Sequence, residues 1–150
     1  MSIWQGLLRK LGLGERAEPT HLSVFLLDDD RLRHDWFARR FSNDQIDIAV
    51  DPAGALELLS TNYYDAIFLD HDLLPEHYGA QEHDDERTGY AVAAWLAARP
   101  DLQPSALVIV HTRNADGAMR MVEMLRGAGR QAEYVPFPVL SQKIRSYLRR

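Results

Sequence analysis

From residue 21 onward the chain alternates five times between a short apolar or β-branched run and a longer segment of helical period. Few folds satisfy that pattern. The first run, Leu22 to Leu27, is almost wholly apolar, as a strand covered on both faces must be. Arg31 to Phe41 then reads as a helix with Leu32, Trp36 and Phe37 inward. Ile46 to Val50 predicts a second strand, and Pro52 stands at the first position of a helix that continues from Ala53 to Ser60. Ala66 to Leu69 predicts the third strand. Thr88 is placed to cap a helix carrying Tyr90, Val92, Ala93, Trp95 and Leu96, which stops before Pro100. Ala106 to Val110 predicts the fourth strand. Asn114 then caps a helix with Met119, Val122 and Leu125, closed by Gly127 and Gly129. Glu133 to Val135 is the last and shortest strand, and Pro138 opens a final helix with Ile144 and Leu148. Such alternation implies an α/β fold, a doubly wound parallel sheet of five strands with helices on both faces.

Two segments lie outside that pattern. Residues 1–20 carry Ile3, Trp4, Leu7, Leu8 and Leu11 at helical spacing, then Gly12, Gly14 and Pro19 as a linker. Arg9 and Lys10 follow the apolar residues, so the segment does not read as a signal peptide. It is expected to form an amphipathic helix packed on the domain of residues 21–150 or on a second copy in a homodimer. A membrane-surface anchor is the alternative. The second segment, Glu76 to Arg87, holds His77, Glu82, His83, Asp84, Asp85 and Glu86 without the spacing of a tight metal site, and is expected to be a solvated loop over the pocket.

Composition narrows the function. A formal net charge of −5 with no long basic stretch argues against a nucleic-acid partner. The absence of cysteine removes disulfides and thiolate chemistry and fits a cytoplasmic setting. No apolar run approaches the roughly 20 residues that span a bilayer. At 46% apolar and 26% charged, the chain reads as an ordinary soluble domain.

In sheets of this kind ligands bind at the carboxyl ends of the strands. There this sequence places Asp28 and Asp29 after the first strand, Asp70 after the third, and His111 and Thr112 after the fourth. An aspartate between a strand and a helix often serves as a cap. Three converging carboxylates repel one another, however, unless a cation joins them. A hard divalent ion such as Mg²⁺, or Mn²⁺, fits that donor set.

The acidic pair Asp28 and Asp29, the stretch Val50-Asp51-Pro52-Ala53-Gly54-Ala55-Leu56-Glu57-Leu58-Leu59 and the run Tyr64-Asp65-Ala66-Ile67-Phe68-Leu69-Asp70 resemble the CheY-like receiver domain of response regulators over roughly residues 22–149. The resemblance implies Mg²⁺ held by Asp28, Asp29, Asp70 and the carbonyl of Asp72. It also implies a phosphoryl group accepted on Asp70 from a histidine kinase, with Thr112 binding its oxygen. The family's lysine at the end of the fifth strand has no counterpart in Glu133-Tyr134-Val135-Pro136-Phe137. The runs Leu27-Asp28-Asp29-Asp30-Arg31, Leu69-Asp70-His71-Asp72-Leu73, Thr88-Gly89-Tyr90 and His111-Thr112-Arg113-Asn114 are more specific. They resemble the cyclic-phosphate-processing receiver domains, which implies a phosphate-bearing small molecule as partner. Opening a cyclic phosphodiester needs a base, an acid and positive charge on the phosphoryl oxygens. His71 and His111 are candidates for proton transfer, and Arg113 for the missing cation. The alternative for each histidine is a bond to a neighbouring carboxylate. A stand-alone response regulator and a degenerate receiver that only binds partners are the competing readings. A generic flavin or nucleotide binder is weaker, since no glycine-rich loop follows the first strand.

Overall fold

The computed structural model describes residues 21–73 and 86–148. The expected N-terminal helix and nearly all of the 76–87 loop lie outside the described residues. The elements are β1 (Ser23–Leu27), α1 (Arg31–Arg40), β2 (Gln45–Ala49), α2 (Pro52–Thr61), β3 (Ala66–Leu69), α3 (Gly89–Ala97), β4 (Leu107–Val110), α4 (Ala115–Gly127), β5 (Ala132–Tyr134) and α5 (Phe137–Leu148). All five strands pair in parallel, in the order β2-β1-β3-β4-β5. The order reverses between β1 and β3, and that switch point is where such sheets open a crevice. No helix among the described residues is long and apolar enough to cross a membrane.

Each face of the sheet has its own core, because successive strand side chains point to opposite faces. Phe25, Leu27, Ile67, Leu69, Val108 and Val110 pack with Ala55 and Leu59 of α2, Val92 and Leu96 of α3, and Met121 and Leu125 of α4. Val24, Leu26, Phe68 and Ile109 pack with Phe37 and Phe41 and with Leu140 of α5. Aromatic edge contacts tie Phe37 to Phe68 at 4.9 Å and Trp36 to Phe137 at 5.2 Å between ring centroids.

Start signals are met in detail. Asp30 caps α1 by accepting from the amides of Leu32 and Arg33, Asp51 caps α2, and Asn114 caps α4 through Gly117 N. Thr88 stands at the cap position of α3, but its side chain makes no cap bond. One inward assignment is corrected: Leu32 is 78% exposed. The second strand ends at Ala49, so Val50 lies beyond β2 and is exposed, and in α4 Met121 is buried while Met119 is exposed. Leu32 loses its place because the inward stripe of α1 runs at intervals of four through Arg33, Phe37 and Phe41. The position nearest the strand ends is taken by a guanidinium, for a reason found in the pocket.

Candidate functional site

Leu27, Leu69 and Val110 are partners across β1, β3 and β4. The ladder runs one rung further: Asp28 N donates to Ala49 O, Asp70 N to Leu27 O, and His111 N to Leu69 O. Asp28, Asp70 and His111 therefore form a row across the switch point, in phase with the sheet face that carries Phe37. His111 lies 5.8 Å from the Phe37 ring. The three offer ligand atoms all within 4.8 Å of one another, and all three residues are buried.

Two side chains meet the carboxylates of that row. Arg33 Nε donates to Asp28 Oδ2 at 2.6 Å, and its Nη2 donates to Asp28 Oδ1 at 2.9 Å and to Asp70 Oδ2 at 3.0 Å. His111 Nε2 lies 2.7 Å from Asp28 Oδ2. Its Nδ1 is buried without a partner, so a proton there would be a donor with no acceptor, and Nε2 is the favourable site for it. Burial alone would push the Asp28 carboxyl up, but the hydrogen bonds and charges of His111 and Arg33 outweigh it and hold the group at about 2. Asp70 goes the other way. Burial and the neighbouring Asp28 charge push it up to about 6, against the pull of His111, Arg33 and a hydrogen bond from Thr112. Burial would lower Arg33, but Asp28 and Asp70 raise it further above its usual range.

The next residues along the strands face α3 and α4. His71 is buried, with Nδ1 2.7 Å from Asp72 Oδ1, and Asn114 Nδ2 stands 3.4 Å from both atoms. Two glycines shape this side. A Cβ on Gly117 would come within 2.7 Å of the His71 ring, and one on Gly89 would sit 1.7 Å from Asp70 O. Gly89 N also donates to His71 O at 2.9 Å, so α3 can start against the end of β3 only with glycine there. That accounts for the glycine of the Thr88-Gly89-Tyr90 run.

The structure thus brings Asp28, Asp70 and His111 together, with Thr112 on Asp70 and the His71–Asp72 pair directly beyond. Asp29 follows Asp28, half-buried, and is not among those three. Arg113 is exposed on the loop before α4. Both histidines bond carboxylates, as the plainer alternative for each had it. Sequence reasoning missed Arg33, whose signal was its place four residues before Phe37, and His34, whose Nε2 lies 2.6 Å from Asp28 O. The pocket fits a divalent cation in its paired carboxylates from separate strands. Mn²⁺ takes the same oxygen donors.

No curated protein matches the chain significantly. Solved structures of the same fold do. A response regulator from Burkholderia pseudomallei, solved with a phosphorylated aspartic acid, a calcium ion and citrate, superposes with a TM-score of 0.60 at 22% identity, over 85% of this chain and 66% of that one. A CheY-like receiver domain protein from Methanospirillum hungatei superposes at 0.59 with 20% identity, over 86% and 94%. The response regulator TrrA from Thermotoga maritima, solved with Mg²⁺ and BeF, superposes at 0.56 with 18% identity, over 84% and 98%. These likenesses establish the receiver fold. The profile of the cyclic-phosphate processing receiver domain matches residues 23–127, and with that match over most of its length the chain belongs to that family.

Proposed function

We propose that this protein opens a cyclic phosphodiester at the carboxyl edge of its sheet, with a divalent cation, Mg²⁺ or Mn²⁺, held by Asp28, Asp29, Asp70 and the carbonyl of Asp72. The observation that carries the reading is the pair of carboxylate–histidine contacts, His111 with Asp28, which is buried, and His71 with Asp72, which is partly so. When bound, the cation would polarise the phosphoryl group. In this reading the two imidazoles, His71 oriented by Asp72 through Nδ1 and His111 by Asp28 through Nε2, move the protons. Water attacks phosphorus as the ring P–O bond breaks. The water's proton goes to one imidazole, the other protonates the leaving oxygen, and a phosphomonoester with a free hydroxyl results. Thr112 and Arg113 would receive phosphoryl oxygens. A phosphate-bearing small molecule is the partner, and no nucleic acid is needed.

The test is product release from a panel of 2′,3′-cyclic nucleotides and cyclic sugar phosphates in Mg²⁺. His111→Ala and His71→Ala should each lower the rate by about 10²–10⁴, measured at a temperature where each variant remains folded. Turnover that survives both substitutions overturns the mechanism.

A second reading has its own support. Thr112 bonds Asp70, the arrangement a phosphoacceptor aspartate needs. A response regulator phosphorylated on Asp70 by a histidine kinase would carry stoichiometric phosphate after incubation with acetyl phosphate and Mg²⁺, read by mass spectrometry. With Val135-Pro136 where a lysine would stand, little phosphorylation is expected.

A further inference from the structure

A carboxylate offers about four acceptor positions, and those of Asp28 are filled. Oδ1 accepts from Asp30 N at 2.8 Å and Arg33 Nη2 at 2.9 Å. Oδ2 accepts from Arg33 Nε at 2.6 Å and lies 2.7 Å from His111 Nε2. Asp70 Oδ2 also accepts from Arg33. A divalent ion can reach Asp28 only if a donor withdraws. The Asp30 amide is fixed by the start of α1, and the His111 side chain is buried among β4 and Phe37. Arg33 differs from both. Its guanidinium hangs on a flexible stem, its side chain is 17% exposed, and it supplies two of the four contacts.

We propose that Arg33 is the internal cation of this pocket: it neutralises Asp28 and Asp70 when no metal is bound, yields those oxygens to the divalent ion, and then turns its fork to the phosphate. The inference rests on the metal-binding half of the proposed function. Two features support the second step. A guanidinium pairs two oxygens of a phosphate as readily as two of a carboxylate. The end of the fifth strand also offers no lysine to do so. Metal and phosphate binding are then coupled, because one displaced side chain serves both. Without metal, Arg33 is occupied by carboxylates and anion binding is weak, so the pocket takes up phosphate only when the ion is in place.

The experiment titrates Mn²⁺ alone by calorimetry into the wild-type protein, Arg33→Gln and Arg33→Lys. In parallel, the Arg33 Nε–H signal is followed by ¹⁵N NMR as Mg²⁺ is added, assigned by its loss in Arg33→Gln. Expected are a Kd for Mn²⁺ tightened by about tenfold or more in Arg33→Gln, an intermediate value for Arg33→Lys, and an Nε–H signal that moves as Mg²⁺ binds. With Mg²⁺ saturating, inorganic phosphate should bind about tenfold more weakly to Arg33→Gln. Metal binding of equal or weaker affinity in Arg33→Gln, or a stationary Nε–H signal in metal-loaded wild type, overturns the exchange while leaving the metal site standing. Absence of metal binding in all three proteins overturns both. If Arg33→Gln does not fold, Arg33→Lys and the signal's response to Mg²⁺ in the wild type decide.

Discussion

At the amino end of the sheet Gln103 is buried and fully bonded, whereas at the carboxyl end Asp28, Asp70 and His111 are buried and crowded. Gln103 Oε1 accepts from Tyr64 N at 3.0 Å, and its Nε2 donates to Leu59 O at 2.8 Å and Asn62 O at 2.5 Å. Beside it the Arg130 guanidinium donates to the carbonyls of Leu96, Arg99, Leu102 and Gln103. Every one of those bonds joins a side chain to backbone, which is the structural use of a buried polar group, and the carbonyls of Leu96, Arg99 and Gln103 accept a backbone amide as well. At the other end the polar groups bond mainly one another. Two carboxylates repel, one guanidinium spans them, and His111 Nδ1 has no partner. At one end the buried polar groups satisfy backbone; at the other they are held against one another.

The largest effect expected is a pH dependence. Asp70, raised to about 6 in the folded protein from an ordinary value near 4, binds a proton more tightly folded than unfolded. Metal-free protein should therefore lose roughly 3 kcal/mol from this group as pH rises from about 4 past 6. Asp28, held at about 2, works in the opposite sense: its contribution is present above about 4 and is lost as pH falls toward 2. Denaturant melts across pH in chelator should show the site's contribution greatest near pH 4, and Asp70→Asn should remove the fall above it.

Next in size is the response to metal. Mg²⁺ at 100 times its Kd should stabilise the wild type by about 2.7 kcal/mol, and Asp70→Asn should show equal Tm in chelator and in millimolar Mg²⁺. Gln103→Ala should cost about 2 kcal/mol, because it strands Tyr64 N and two carbonyls, yet leave the Kd for metal unchanged. A shift in metal affinity there would erase the division between the two ends. The smallest effect is that of Gly117→Ala. Its methyl would displace the His71 ring, so turnover of a cyclic phosphate should fall about tenfold while metal affinity holds.

The alternation of strands and helices and the row of residues at the strand ends were readable because both follow from period and position alone. Asp70 and His111 each end an apolar run, and parallel register then aligns them with Asp28. Arg33 was not readable in that way. A charged residue in the first helical turn reads as solvated, and Leu32 beside it attracts the inward assignment. Only the interval Arg33, Phe37, Phe41, set against an acidic pocket lacking its cation, marks the guanidinium as inward. Gln103 was hidden for another reason. It adopts a φ of 53° and bonds residues about forty positions earlier, and no local pattern encodes such contacts.

The most direct measurement is the paramagnetic effect of Mn²⁺ on amide NMR signals of the full chain. A divalent ion at the switch point should broaden the signals of Asp28 to Asp30, Asp70 to Asp72, and His111 and Thr112 at substoichiometric Mn²⁺, and leave Gln103 and Arg130 sharp. Mg²⁺ added in excess should restore them. Broadening that spares the Asp28, Asp70 and His111 row, or that falls equally on both ends of the sheet, would contradict a metal centre at the carboxyl edge.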